Sequence, residues 1–163
     1  MSENLVITIA TPENVHEIMD IAVAASNENG FLDANPSRML QEIYPALCRD
    51  HGLVGIIGTP GGPIEGAILM RIGKMWYSDA DVLEERGIFI HQDYRNAKGG
   101  RAAKLCEFAK KTSDALGLPL IIGVLSNHRT AGKVKMYQRI FGESAGAFFL
   151  YGARTDSRMI AAE

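Results

Sequence analysis

The segment at residues 87–105, GIFIHQDYRNAKGGRAAKL, constrains this chain more than any other. An apolar run with strand character passes through a tight turn and goes directly into a helix. The turn holds Arg95, Lys98, Gly99, Gly100 and Arg101. Adjacent glycines let the backbone bend sharply and bring several amides to the helix start, where the dipole is positive. With flanking bases the layout suits an anion, and a nucleotide pyrophosphate is its natural occupant. A Gly-Gly pair before a helix is also a common plain turn, so the segment needs support from elsewhere. Neither G-x-x-x-x-G-K-[ST] nor a G-x-G-x-x-G after a first strand is present, which sets aside P-loop hydrolases and dinucleotide dehydrogenases.

At 163 residues, 47% hydrophobic and 22% charged, the chain can bury one core without disulfide or metal staples. Residues 1–152 read as one domain and 153–163 as a patternless tail. Cys48 and Cys106 have no second Cys or His at ligand spacing, so no metal is expected and both read as buried thiols. The net charge of −2 argues against wholesale nucleic-acid binding, although residues 95–139 are locally basic. No run approaches a membrane span, and MSENLVITIATPEN lacks a basic start or cleavable apolar core. A cytoplasmic address follows as the expectation.

Residues 5–10 (LVITIA) read as a strand, and Thr11-Pro12 as a helix start for the stripe Val15, Ile18, Met19, Ala22, Ala25. Asn35-Pro36 starts a second helix, in which Pro45 predicts a kink or early end. Two strands joined at Pro60-Gly61-Gly62-Pro63, and a third at 82–91, follow. Residues 101–116 form a helix stopped by Gly117. LPLIIGVLS at 118–126 reads as a strand buried on both faces, 130–141 as a helix closed by Gly142, and 145–151 (AGAFFLY) as a last strand. The order β-α-α-β-β-β-α-β-α-β suits a mixed sheet with helices on both faces.

The second half supports the anion loop. I88-F89-I90, Y94-R95, G100-R101-A102 and M136-Y137-Q138-R139-I140-F141-G142 resemble the GCN5-related N-acetyltransferase (GNAT) superfamily. Its members carry an apolar fourth strand, a Gln/Arg-x-x-Gly-x-Gly/Ala pyrophosphate loop, a helix, a further strand, and a helix with a tyrosine. The N-terminal strand and two helices fit the same order, so the resemblance spans nearly the whole chain, with motif-level matches in the C-terminal half. YRNAKGGRAAKL, SNHRT and KMYQRIFG resemble most the acetyltransferases of phage and prophage genomes. Two positions depart from the pattern. The leading Gln/Arg position falls on Ala97, so Arg95 or Lys98 must supply its charge. The Asn that many members place seven residues before the tyrosine falls on Thr130, with Asn127 three residues earlier.

The resemblance implies an α/β fold, a mixed, mostly antiparallel central sheet with helices on both faces, and an acetyl-CoA-dependent N-acetyltransferase. The acetyl group would pass to a primary amine by direct attack, with no metal. Acetyl-CoA would lie where the fourth and fifth strands part, its pantetheine beside the backbone of Ile88, Phe89 and Ile90. The amides of Lys98, Gly99, Gly100, Arg101 and Ala102 would hold the diphosphate, with Arg95, Lys98 and Arg101 screening its charge and Asn127 or Thr130 contributing nearby. Tyr137 occupies the general-acid position, where a phenol protonates the departing thiolate; periodicity alone also allows a packing stripe of Val134, Tyr137 and Phe141. Glu84 and Glu85 point to opposite faces of the strand, and parity with Ile88 and Ile90 selects Glu84 as base; His91 is a second candidate.

The acceptor pocket is expected between residues 27–36 and 74–77, where Phe31, Trp76 and Tyr77 clasp a cationic amine or pack a sheet edge or homodimer interface. Asp33, Asp79 and Asp81 would attract positive charge. Two alternatives stay open: a non-catalytic acyl-CoA-binding or regulatory module, and an interaction protein using the scaffold without CoA.

Overall fold

In the computed structural model, which describes residues 4–95, 97–126 and 129–153, the elements run β1 (Val6–Ile9), α1 (Val15–Asn29), α2 (Pro36–Leu47), β2 (Gly52–Gly58), β3 (Gly66–Lys74), β4 (Asp81–Ile90), α3 (Arg101–Leu116), β5 (Leu120–Ile121) and α4 (Thr130–Phe141). The strands make one five-stranded sheet in chain order, antiparallel from β1 to β4, with β5 parallel to β4. Alternation along the strands sends Val54, Ala67 and Leu69 to one face, against Ile18, Ile21, Ile43 and Leu47 of α1 and α2. Leu53, Ile57, Ile68, Met70 and Leu83 line the other, against Leu105 and Ala109 of α3. Helices therefore cover both faces, and the fold class is the one expected.

Local signals explain the boundaries. Asn35 Oδ1 accepts from Arg38 N at 3.2 Å to cap α2, with Pro36 at its first position. The helix ends two residues beyond Pro45. Gly117, at φ 67°, closes α3 in the left-handed region. At the sheet centre Gly55 makes room for α3, since a Cβ there would stand 2.5 Å from Phe108 Cε1.

Three expectations need correction. The strand at 118–126 shrinks to Leu120–Ile121, because β5 pairs with β4 only at Leu83 and Glu84 and then departs, leaving Ile121 40% and Leu125 56% exposed. Residues 145–151 form no strand, and Phe148, Phe149 and Tyr151 are exposed. A two-residue β5 offers too short a ladder for that apolar segment to extend. Cys48 is exposed rather than buried, because it follows the last residue of α2, outside the helix's apolar face, whereas Cys106 is buried. The tail beyond residue 153 lies outside the described residues. Among the described residues no helix is long and apolar enough to cross a membrane.

Candidate active site

β4 and β5 part soon after they pair. β4 pairs with β3 from Asp81 to Ile90 but with β5 only at Leu83 and Glu84, so its outer edge from Glu85 onward lies beyond the ladder. Ile88, Phe89 and Ile90 lie on that edge. Beside them runs a β-bulge: Met70 opposes Glu85 and Leu69 opposes Gly87, leaving Arg86 as the extra residue.

The bulge changes which carboxylate faces the site. Glu85, opposite Met70, shares the α3 face with Leu83 and with Ile88, which opposes Ile68. Glu84, opposite Arg71, takes the α2 face, and its Oε2 would stand 3.3 Å from a Cβ on Gly73. The parity linking Glu84 to Ile88 and Ile90 assumed unbroken alternation, and the extra residue breaks it.

Glu85 interacts there with Cys106 of α3 and Tyr137 of α4. Burial raises the Glu85 carboxyl from 4.5 to about 7, with Arg86 pulling weakly the other way. Burial also lifts the Cys106 thiol to about 11, against a hydrogen bond from Tyr137 that lowers it, so the thiol stays protonated. Burial first, then the neighbouring Cys106 and Glu85, pushes the Tyr137 hydroxyl above the ordinary phenol value. The Tyr137 ring also meets Phe141 edge-on at 5.8 Å, so the packing stripe and a functional hydroxyl coexist in one residue. The half-buried Glu85 is the carboxylate that sequence parity set aside in favour of Glu84, and the buried Cys106 thiol is the partner that sequence reasoning missed.

At the far end of β4 the bend leads into α3. Gly99 and Gly100 have φ of 132° and 61°, a region in which side-chain-bearing residues are strained. A Cβ on Gly100 would meet nothing within 4 Å, so the bend is open to solvent there. No side chain caps α3, whose first turn is the positive end of the helix dipole. Lys98 is exposed beside it.

The flanking arginines differ from expectation. Arg101 is buried and pairs with Glu65 at 2.9 Å, so it cannot screen a diphosphate from outside. Arg95 pairs with Glu28 of α1, and its Nε donates to Ile90 O at 3.3 Å. Lys133 on α4 senses Arg95, the Glu28 carboxylate of α1 and Arg129, and burial followed by Arg95 lowers its pKa, so the bend and α4 bring a cluster of bases together beside one carboxylate. Thr130 Oγ1 donates to Ser126 O at 2.9 Å, holding the start of α4. Asn127 lies outside the described residues. His91 Nδ1 accepts from Asp93 N at 3.1 Å and caps the turn after β4.

Trp76 and Tyr77 stack edge to face at the β3–β4 turn and are 95% and 68% exposed. A cleft of about 380 Å³ opens between α2, the start of β2 and the middle of β3 and β4, lined by Glu42, His51, Arg71 and Arg86. Arg86 is the bulge residue, so this cleft reaches the opposite face of β4 from Glu85. Among the described residues no group of three or more His, Cys, Asp or Glu side chains could hold a metal ion.

No family model and no curated protein matches the sequence. Solved structures do match in fold. A possible acetyltransferase from Clostridium difficile superposes with a TM-score of 0.67 at 12% identity, covering 90% of this chain and 96% of that one. The aminoglycoside 6′-N-acetyltransferase AAC(6')-Ih from Acinetobacter baumannii gives 0.64 at 13%, covering 91% and 97%. AAC(6')-Iy, bound to a bisubstrate analogue containing CoA, gives 0.66 at 18%, covering 93% and 99%. The chain therefore shares the fold of these acetyltransferase structures.

Proposed function

We propose that the protein is an N-acetyltransferase that moves the acetyl group of acetyl-CoA to a primary amine by direct attack. One observation carries the reading: the open edge of β4, the uncapped bend at 98–102 and the Glu85–Tyr137 pair share one parting of the sheet. The residues fit the cofactor, because the bend offers free space at Gly100 and a basic cluster beside it. Its thioester supplies an activated acyl group. The amides of Lys98 to Ala102 hold the diphosphate, and the backbone of Ile88, Phe89 and Ile90 orients the pantetheine arm. Lys98 and the cluster containing Arg95 screen the charge; Arg101 contributes its amide alone. Thr130 steadies the α4 start, and Asn127 precedes it.

Acetyl transfer needs a neutral amine and a protonated leaving thiolate. Tyr137, held protonated by its surroundings, gives a proton to the departing sulfur. Glu85, which ionises near neutrality, takes a proton from the acceptor's ammonium group so that the neutral amine attacks; on the α3 face it takes the role that strand parity had given to Glu84. The two free thiols suit a reducing compartment such as the cytosol.

A non-catalytic acyl-CoA-binding module is the second reading, favoured by the Tyr137 hydroxyl being engaged by Cys106. Release of free thiol from acetyl-CoA across an amine panel, measured for the wild type and Tyr137→Phe, separates them. The enzyme reading expects at least about a hundredfold loss of kcat in the variant, with acetyl-CoA affinity within about threefold. No turnover with any amine despite tight binding supports the module.

A further inference from the structure

We infer that Glu65 and Arg101 form a buried latch that sets the shape of the 97–100 bend, making both positioning residues for whatever anion the bend receives. An arginine opening a helix beside two glycines ordinarily faces outward and meets the anion itself. Here it is turned in, 3% exposed, against Glu65 at 4%. Arg101 Nη2 donates to Glu65 Oε1 at 2.9 Å, and Nη1 donates to the carbonyl of Lys98 at 3.0 Å. The same guanidinium lies 4.9 Å from the centre of the Tyr94 ring. One side chain thus grips the bend at its entry, its middle and its end.

Glu65 is a fixed anchor. Its own amide donates to Ile57 O, and its carbonyl accepts from His91 N, each at 2.9 Å, so its backbone is tied to β2 on one side and to the end of β4 on the other. The bend closes tightly over the pair: a Cβ on Gly99 would come within 3.2 Å of Arg101 Nη1 and 2.8 Å of Leu5 Cδ1. A buried ion pair adds little net stability over a well-packed apolar pair, so the fold alone does not require these charges. The contact that apolar substitutes cannot reproduce is the one to Lys98 O. With that carbonyl drawn inward, the neighbouring amides are left to face out.

The test uses Glu65→Leu/Arg101→Met, which leaves no unpaired buried charge, and Arg101→Lys, which keeps a charge for Glu65 but has no fork to hold both partners. Amide hydrogen exchange across residues 97–100 is measured without any cofactor, beside the melting temperature. The latch predicts at least about tenfold faster exchange in the bend of the double variant or of Arg101→Lys, while the core strands keep wild-type protection. Wild-type exchange in a folded variant overturns the latch; so does loosening spread evenly over the molecule. A second arm, resting on the acyl-CoA reading above, titrates acetyl-CoA and expects Kd to rise about tenfold in the same variants. If the wild type does not bind acetyl-CoA but the bend still loosens in the variants, the cofactor reading fails and the latch stands. Faster exchange with unchanged Kd overturns its role in positioning the anion site.

Discussion

Replacing Glu85 by Gln tests the electrostatics of the site without any substrate. The folded carboxyl ionises near 7, against an ordinary value of 4.5, because burial between β4 and α3 disfavours its charged form. Between those two values the unfolded chain has released the proton and the folded chain keeps it. Folding stability must then fall as pH rises, by about 1.4 kcal/mol per pH unit. Across the window the loss sums to roughly 3 kcal/mol, fully developed above pH 7 and absent below 4.5. Gln cannot ionise, so the variant escapes this term while the other titrating groups, common to both proteins, cancel in the difference. Urea unfolding of the cofactor-free pair at half-unit steps from pH 4 to 8.5 should show two curves separating through this window, Glu85→Gln becoming the more stable on the alkaline side. The activity limb should lie in the same place, with wild-type turnover rising through about pH 7 as the base form appears. Parallel stability curves, offset by a constant, would refute the buried titrating carboxyl and with it the choice of Glu85 over Glu84.

Two further substitutions probe the frame. Gly100→Asp puts a negative side chain where the diphosphate belongs, at a φ that costs a non-glycine residue about 1 kcal/mol; acetyl-CoA affinity by calorimetry should fall at least about a hundredfold while the fold survives. Gly55→Ala drives a methyl into Phe108 and should cost about 1–3 kcal/mol in urea unfolding, with acetyl-CoA affinity unchanged in the folded fraction.

How much of this was legible in the sequence depends on how local each signal was. α3 was readable to the residue because its apolar stripe runs between glycines at 100 and 117, both of which take positive φ. The loop and the Tyr137 helix were likewise written in consecutive residues. What failed depended on distant partners. The face of Glu84 turned on a bulge whose existence lies in how β3 meets β4. Arg101 looked like a phosphate ligand until Glu65, 36 residues earlier, proved to hold it. Residues 145–151 carry strong strand propensity, but propensity makes no strand without an edge to pair with, and β5 is two residues long. Cys106 read as a buried thiol, and it is one; its nearness to Tyr137 depends on α3 and α4 packing together, which no local pattern records.

The central claim is that the bend before α3 and the open edge of β4 hold acetyl-CoA. Isothermal titration of the purified chain with acetyl-CoA tests it most directly. The account predicts saturable one-to-one binding, accompanied by thermal stabilisation worth about 2.7 kcal/mol at a hundredfold excess over Kd. Absence of binding heat together with an unmoved melting temperature at millimolar acetyl-CoA would contradict it.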